Sequence, residues 1–233
     1  MNKFYNLCRW FATFFLIFLS LCYSSAANYL CFTSKETGIT IKYIPSDENY
    51  TPEIAYSYDQ EKWFPLASNE LILMLGENEK VYLRGKNPNG FSFSSDSFTK
   101  FSIDGNVEVS GSVMSLIDNE GESTEIPNEY CFYRLFEGCK IISAPELPAT
   151  SLKPNCYRQM FWGCPIEKAP ELPATKLAKS CYAGMMGMCL NLEETPELPA
   201  TELADSCYSG MFTFCSNLKK VVNLPAPTLA KGC

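Results

Sequence analysis

Four times in the second half of the chain, one cysteine is followed eight positions later by another. Cys131, Cys156, Cys181 and Cys207 open these pairs, and Cys139, Cys164, Cys189 and Cys215 close them. Cys233 stands where a fifth pair would open, and the opening cysteines are separated by 25, 25, 26 and 26 residues. The strings they bound are CFYRLFEGC, CYRQMFWGC, CYAGMMGMC and CYSGMFTFC, and each is followed by a second block: APELPATSL, APELPATKL, TPELPATEL and VNLPAPTL. Two blocks recurring together at one period mark a repeat array. No single unit of such an array can bury its apolar side, so each must cover the next.

Within the first block, Cys156, Tyr157, Met160, Phe161 and Cys164 fall at i, i+1, i+4, i+5 and i+8. That spacing puts them on one face of a helix, and Cys131 to Cys139 and Met211-Phe212 in the fourth string follow the same rhythm. The second block must be extended, because Pro170 and Pro173 exclude a helix interior. One short helix and one extended segment per repeat are therefore predicted. The structural repeat core is predicted to comprise Cys131, Cys139, Cys156, Cys164, Cys181, Cys189, Cys207 and Cys215 together with Met160, Phe161, Met211 and Phe212.

The cysteines have three readings. Two residues eight apart on a helix lie about 12 Å from each other, too far for a disulfide. Equivalent cysteines of stacked repeats would be near enough for one. The simplest reading is a ladder of buried thiols, since cysteine packs as a small hydrophobe. Disulfides between repeats stay open, and metal binding finds little support without a histidine or a C-x-x-C pair.

Upstream, residues 28–120 read as a β-sandwich, with strands at Tyr29–Thr33, Ile39–Ile44, Ile54–Tyr58, Leu71–Leu75, Lys80–Arg84, Thr99–Ile103, Val107–Ser110 and Ser112–Ile117, punctuated by turn residues such as Asn87-Pro88-Asn89-Gly90. Trp63 and Phe64 are expected to pack in or on a sheet, with a carbohydrate platform as the sharper alternative. Residues 1–27 have the form of a cleavable secretory signal: Lys3 and Arg9, a short apolar run from Phe11 to Cys22, then Ser24-Ser25-Ala26-Ala27. Asn49-Tyr50-Thr51 matches an N-glycosylation acceptor, which matters only in a eukaryotic host.

Chemistry narrows function further. The chain contains no histidine, which removes the usual general base and the Ser-His and Cys-His nucleophile pairs. A net charge of -7 without a basic stripe argues against nucleic-acid binding. Glu146, Glu171 and Glu197 share one repeat position, so stacking would set their carboxylates in a row ending at Asn223. That row is a solvated acidic edge or, more sharply, a site for a cation or a basic partner. A regular row gives each carboxylate the same surroundings, which argues against glycosidase acid/base roles.

The Met160, Phe161, Gly163, Cys164 string followed by P-E-L-P-A-T, repeated over Tyr130 to Cys233, resembles the BspA-like leucine-rich repeat surface proteins of anaerobic bacteria. Residues 56–118 resemble, more weakly, the β domain that precedes such repeats. The resemblance implies an α+β chain in which the β-sandwich precedes a short leucine-rich-repeat-like solenoid over residues 130–233. It also implies a secreted or cell-surface protein that acts non-catalytically in adhesion, with an extracellular protein or host matrix component as partner and no cofactor. A carbohydrate-binding or carbohydrate-active envelope protein and a structural envelope protein are the rival readings. The array departs from a uniform pattern: Met188 and Phe214 replace Gly138 and Gly163, and the spacing from closing cysteine to leucine grows by one in the last two repeats. An array opening a fifth unit at Cys233 is expected either to continue or to self-associate through an uncapped end.

Overall fold

The computed structural model describes residues 27–233. The predicted signal segment lies outside the described residues except for Ala27. Among the described residues, nine strands and one very short helix carry the regular structure: β1 Leu30–Ser34, β2 Ile39–Pro45, β3 Ala55–Ser57, β4 Phe64–Pro65, β5 Ile72–Met74, β6 Lys80–Arg84, β7 Thr99–Asp104, β8 Val107–Ser110, α1 Ser115–Asp118 and β9 Ile141–Ser143. They form a six-stranded sheet in the order β4-β3-β6-β1-β8-β9 and a three-stranded sheet in the order β5-β2-β7. Alternation drives the strands to pair one face inward. In β2, Ile39, Ile41 and Tyr43 are buried while Thr40 and Lys42 are only half-buried. Two β-rich layers around one core are compatible with a sandwich.

One upstream expectation is corrected. Ser112–Ile117 is not a strand; its first residues turn and Ser115–Asp118 forms the four-residue helix α1. β4, too short for a pattern to show, was not foreseen. Asn87 ties α1 to the sheet. Its buried amide donates to the carbonyls of Glu53 (2.9 Å) and Leu116 (2.6 Å), and its carbonyl oxygen accepts from the Glu53 N–H (2.9 Å).

The α+β class and the helix-bearing leucine-rich-repeat-like solenoid are overturned. Among the described residues α1 is the one α-helix, and the cysteine-bounded blocks are runs of turns. The backbone supplies the reason. A left-handed φ recurs at every fourth residue: Tyr130, Arg134 and Gly138; Asn155, Gln159 and Gly163; Ser180, Gly184 and Met188; Ser206, Gly210 and Phe214. An α-helix admits no such residue in its interior.

Amide accounting shows what replaces the helix. Tyr133, Leu135, Glu137 and Cys139 donate three residues back, to Tyr130, Phe132, Arg134 and Phe136. The alternate amides of Phe132, Arg134, Phe136 and Gly138 donate across to the carbonyls of Cys156, Arg158, Met160 and Trp162, at 2.8–3.1 Å. The second block bonds likewise to the third: Tyr157 to Cys181, Gln159 to Ala183, Phe161 to Met185 and Gly163 to Gly187. From Phe132 to Gly138 and from Tyr157 to Gly163 the N–H groups are thus satisfied alternately within their own turn and by the following repeat, which meets the demand that buried backbone groups be paired.

The first repeat joins the β region without a break. β9 runs parallel to β8, and Phe101 N–H donates to Leu135 O (2.8 Å). Core residues from Leu30 to Met211 belong to one buried cluster. Phe101, Phe136 and Phe161 stack in file, with ring centroids 5.5 and 5.7 Å apart.

Candidate functional site

The side chains of the turn blocks face inward in columns. Phe132, Tyr157, Tyr182 and Tyr208 stack with centroids 5.8–5.9 Å apart and planes within 10°. Cys131, Cys139, Cys156, Cys164, Cys181, Cys189 and Cys207 are buried, as are Met160, Phe161 and Met211, whereas Cys215 and Phe212 are half-buried. All the described cysteines are free thiols.

The closing cysteines do more than fill space. Cys139 Sγ donates to Phe101 O (3.2 Å), Cys164 Sγ to Phe136 O (2.9 Å), Cys189 Sγ to Phe161 O (3.2 Å) and Cys215 Sγ to Met186 O (3.0 Å). The thiol hydrogens of Cys164, Cys189 and Cys215 therefore reach back one repeat and that of Cys139 reaches strand β7, bonds that leucine could not make. Burial holds these groups neutral. It pushes Cys131, Cys139, Cys156 and Cys189 up to about 12 and raises Cys164 well above the ordinary thiol value. A thiolate is the reactive form of cysteine, so these buried columns are structural and chemically quiet.

The proline blocks carry the concave feature. A groove of about 1030 Å³ runs across the second, third and fourth repeats. Pro170, Pro173, Pro196 and Pro199 shape it, and the carboxylates of Glu171 and Glu197 stand on it. Proline fixes an extended backbone and brings no N–H, so this lining is rich in acceptors and poor in backbone donors.

Of the three predicted binding residues, the structure brings Glu171 and Glu197 to this groove and leaves Glu146 out. Glu146 Oε2 instead accepts from Asn28 Nδ2 at 2.6 Å, and the Glu146 N–H donates to Gly111 O. The cause is position: on the side where later repeats meet a preceding repeat, the first repeat meets the β region. Asn223 is exposed and is not part of the lining.

Sequence reasoning missed Glu167, Glu193 and Glu194, which deepen the negative charge, and Lys168 and Lys220, which partly offset it. Lys219 pairs with Glu193 (2.7 Å), Lys220 with Glu194 (3.0 Å) and, outside the groove, Lys176 with Glu202 (2.8 Å). Every one of these pairs joins equivalent positions 26 residues apart. Opposite charges at one repeat distance were the available signal. Being exposed, such pairs contribute little stability, but they set which carboxylates remain available to a partner. Among the described residues, no group of three acidic or thiol side chains is gathered closely enough to hold a metal ion.

The aromatic alternative is placed too. The Trp63 ring carries the Arg84 guanidinium 4.0 Å from its centroid and Tyr29 edge-on at 4.7 Å. Phe64 is exposed and lies beside Tyr56. Trp63 is therefore already engaged by side chains of its own chain. Comparison with protein-family models, with curated proteins and with solved structures finds no match to this chain.

Proposed function

We propose that this chain is a secreted or cell-surface recognition protein, non-catalytic, that binds an extended basic segment of an extracellular protein along the proline-lined groove. The observation that carries this reading is the convergence of Glu167, Glu171 and Glu197 on one concave edge, beside Glu193 and Glu194, which are paired with Lys219 and Lys220. Lys and Arg side chains are pure donors, and a lining of carboxylates and proline carbonyls offers them acceptors. The secretory form of residues 1–27 and the BspA-like repeat strings support an extracellular protein or matrix component as the partner class.

The absence of histidine and the burial of most of the repeat thiols remove the commonest nucleophile and base, which favours binding over catalysis. Capture on immobilised matrix proteins, run beside a glycan array, tests the proposal. Retention on protein surfaces that weakens as salt rises is expected. Retention on glycans alone, or protein binding that is indifferent to Glu171→Lys, would remove it.

A further inference from the structure

The interval from closing cysteine to leucine is eight residues in the first two repeats (Cys139–Leu147, Cys164–Leu172) and nine in the next two (Cys189–Leu198, Cys215–Leu224). Neighbours of equal interval pair their backbones just before the proline block. Ser143 faces Lys168 in parallel register, and Glu194 faces Lys220. Glu167 N–H donates to Ile142 O (3.2 Å), Lys219 and Lys220 N–H to Glu193 O (2.8 and 3.2 Å) and Thr195 N–H to Lys220 O (3.1 Å). The second and third repeats are the unequal neighbours. Their backbones are joined at Gly163–Gly187 and again at Thr175–Thr201. Among the described residues, no backbone hydrogen bond joins them in between; only the side-chain amide of Asn191, within the longer interval, reaches across, to Pro165 O at 3.3 Å. By equivalence with the other junctions, Glu167 O should accept from the Glu193 and Glu194 amides, and it does not. All three residues are exposed and line the groove.

Backbone groups left open beside an extended segment are the template on which a further strand pairs. Resting on the recognition reading above, we propose that the groove holds its basic partner by main-chain hydrogen bonds at this missing rung, as an added extended strand. The partner's N–H donates to Glu167 O, and its carbonyls accept from the Glu193 and Glu194 amides. Its Lys or Arg side chains reach Glu171 and Glu197. Every residue except proline offers the same main-chain donor and acceptor. Selection therefore falls on extended conformation and spacing of positive charge, and sequence between the basic residues is free to vary.

The test uses the whole chain and a synthetic peptide of alternating lysine and threonine. Beside it runs the same peptide with methylated backbone nitrogens, which keeps every charge and removes the main-chain donors. Calorimetric titration is expected to show binding that weakens roughly tenfold on methylation. Hydrogen exchange at the Glu193 and Glu194 amides is expected to slow when the unmethylated peptide is present. Deleting Asn191 and Asn217 together makes all four intervals eight and removes no charge. That variant is expected to close the rung, slowing the two amides without peptide and weakening binding by a similar factor; should it fail to fold, the methylation comparison decides alone. Equal affinity of the two peptides, or no slowing at Glu193 and Glu194, would overturn the proposal. If that equal binding is still lost in Glu171→Lys, the recognition reading stands without it. Binding indifferent to Glu171→Lys would remove both.

Discussion

Tyr157 offers a substitution that should strengthen the protein by removing an atom. Its ring is fully buried, stacked between Phe132 at 5.8 Å and Tyr182 at 5.9 Å. Its hydroxyl oxygen is buried without a hydrogen-bond partner. A buried unsatisfied polar group costs about 1–3 kcal/mol. Tyr157→Phe removes that cost and keeps the ring stack. The void left by one oxygen, at about 24 cal/mol per Å³, costs only a few tenths of a kcal/mol. The column itself shows that phenylalanine fits, since Phe132 holds the equivalent place in the first repeat. A net gain of about 1 kcal/mol is expected, or roughly 2–4 °C in melting temperature for a chain of this size. Urea unfolding followed by circular dichroism measures it, provided the m-value stays constant. A lower midpoint for Tyr157→Phe would refute the reasoning, because it would show that the hydroxyl makes a bond worth more than its desolvation.

Three further outcomes follow from the same geometry. Asn87→Ala removes all three bonds that hold α1 and the Glu53 backbone together and is expected to lower stability by about 2–4 kcal/mol in the same urea assay; a loss under 1 kcal/mol would show that the clamp is dispensable. Met188→Gly relieves a left-handed φ of 58° at an exposed side chain and is expected to raise stability by about 0.5–1 kcal/mol after the entropic cost of glycine; a fall would mean that the methionine packs against something. The buried thiols set an alkaline limit. Burial pushes Cys131, Cys139, Cys156 and Cys189 from the ordinary thiol value of 9.0 up to about 12, so above about pH 9 the unfolded chain releases protons that the folded chain retains. Their contribution is complete below pH 9 and falls as pH rises toward 12, by at most about 1.4 kcal/mol per pH unit for each thiol. Urea midpoints measured from pH 8 to pH 11 check it, and a flat profile would contradict it.

The repeat frame was plain in the sequence, and the columns of cysteine and aromatic side chains follow it. The conformation of the first block was not. Apolar residues at i, i+1, i+4, i+5 and i+8 suit a helical face, yet they equally suit consecutive turns of four-residue period. The glycines separate the two: Gly138, Gly163, Gly184 and Gly210 all fall on positions that the structure holds at left-handed φ. Glycine tolerates that conformation without steric cost, and its recurrence in that frame argued against helix. The carboxylate row was half legible. Equivalence of Glu171 and Glu197 came from the repeat, while the capture of Glu146 by Asn28 depended on how the β region meets the array, which no local pattern encodes. The β strands themselves were legible wherever alternation ran for several residues. Only where α1 and β4 broke it, over a few residues each, did the pattern mislead or fall silent.

The claim that matters most is that the acidic groove is a recognition surface. Surface plasmon resonance of the intact chain over immobilised matrix proteins, beside a Glu171→Lys/Glu197→Lys double variant of unchanged circular dichroism, tests it most directly. Both residues are exposed, so the variant should fold normally. Saturable binding that falls at least roughly tenfold in the variant, the equivalent of about 1.4 kcal/mol, and that weakens with added salt is the expected result. Equal binding by both proteins at every salt concentration would contradict the claim and move the recognition surface elsewhere on the molecule.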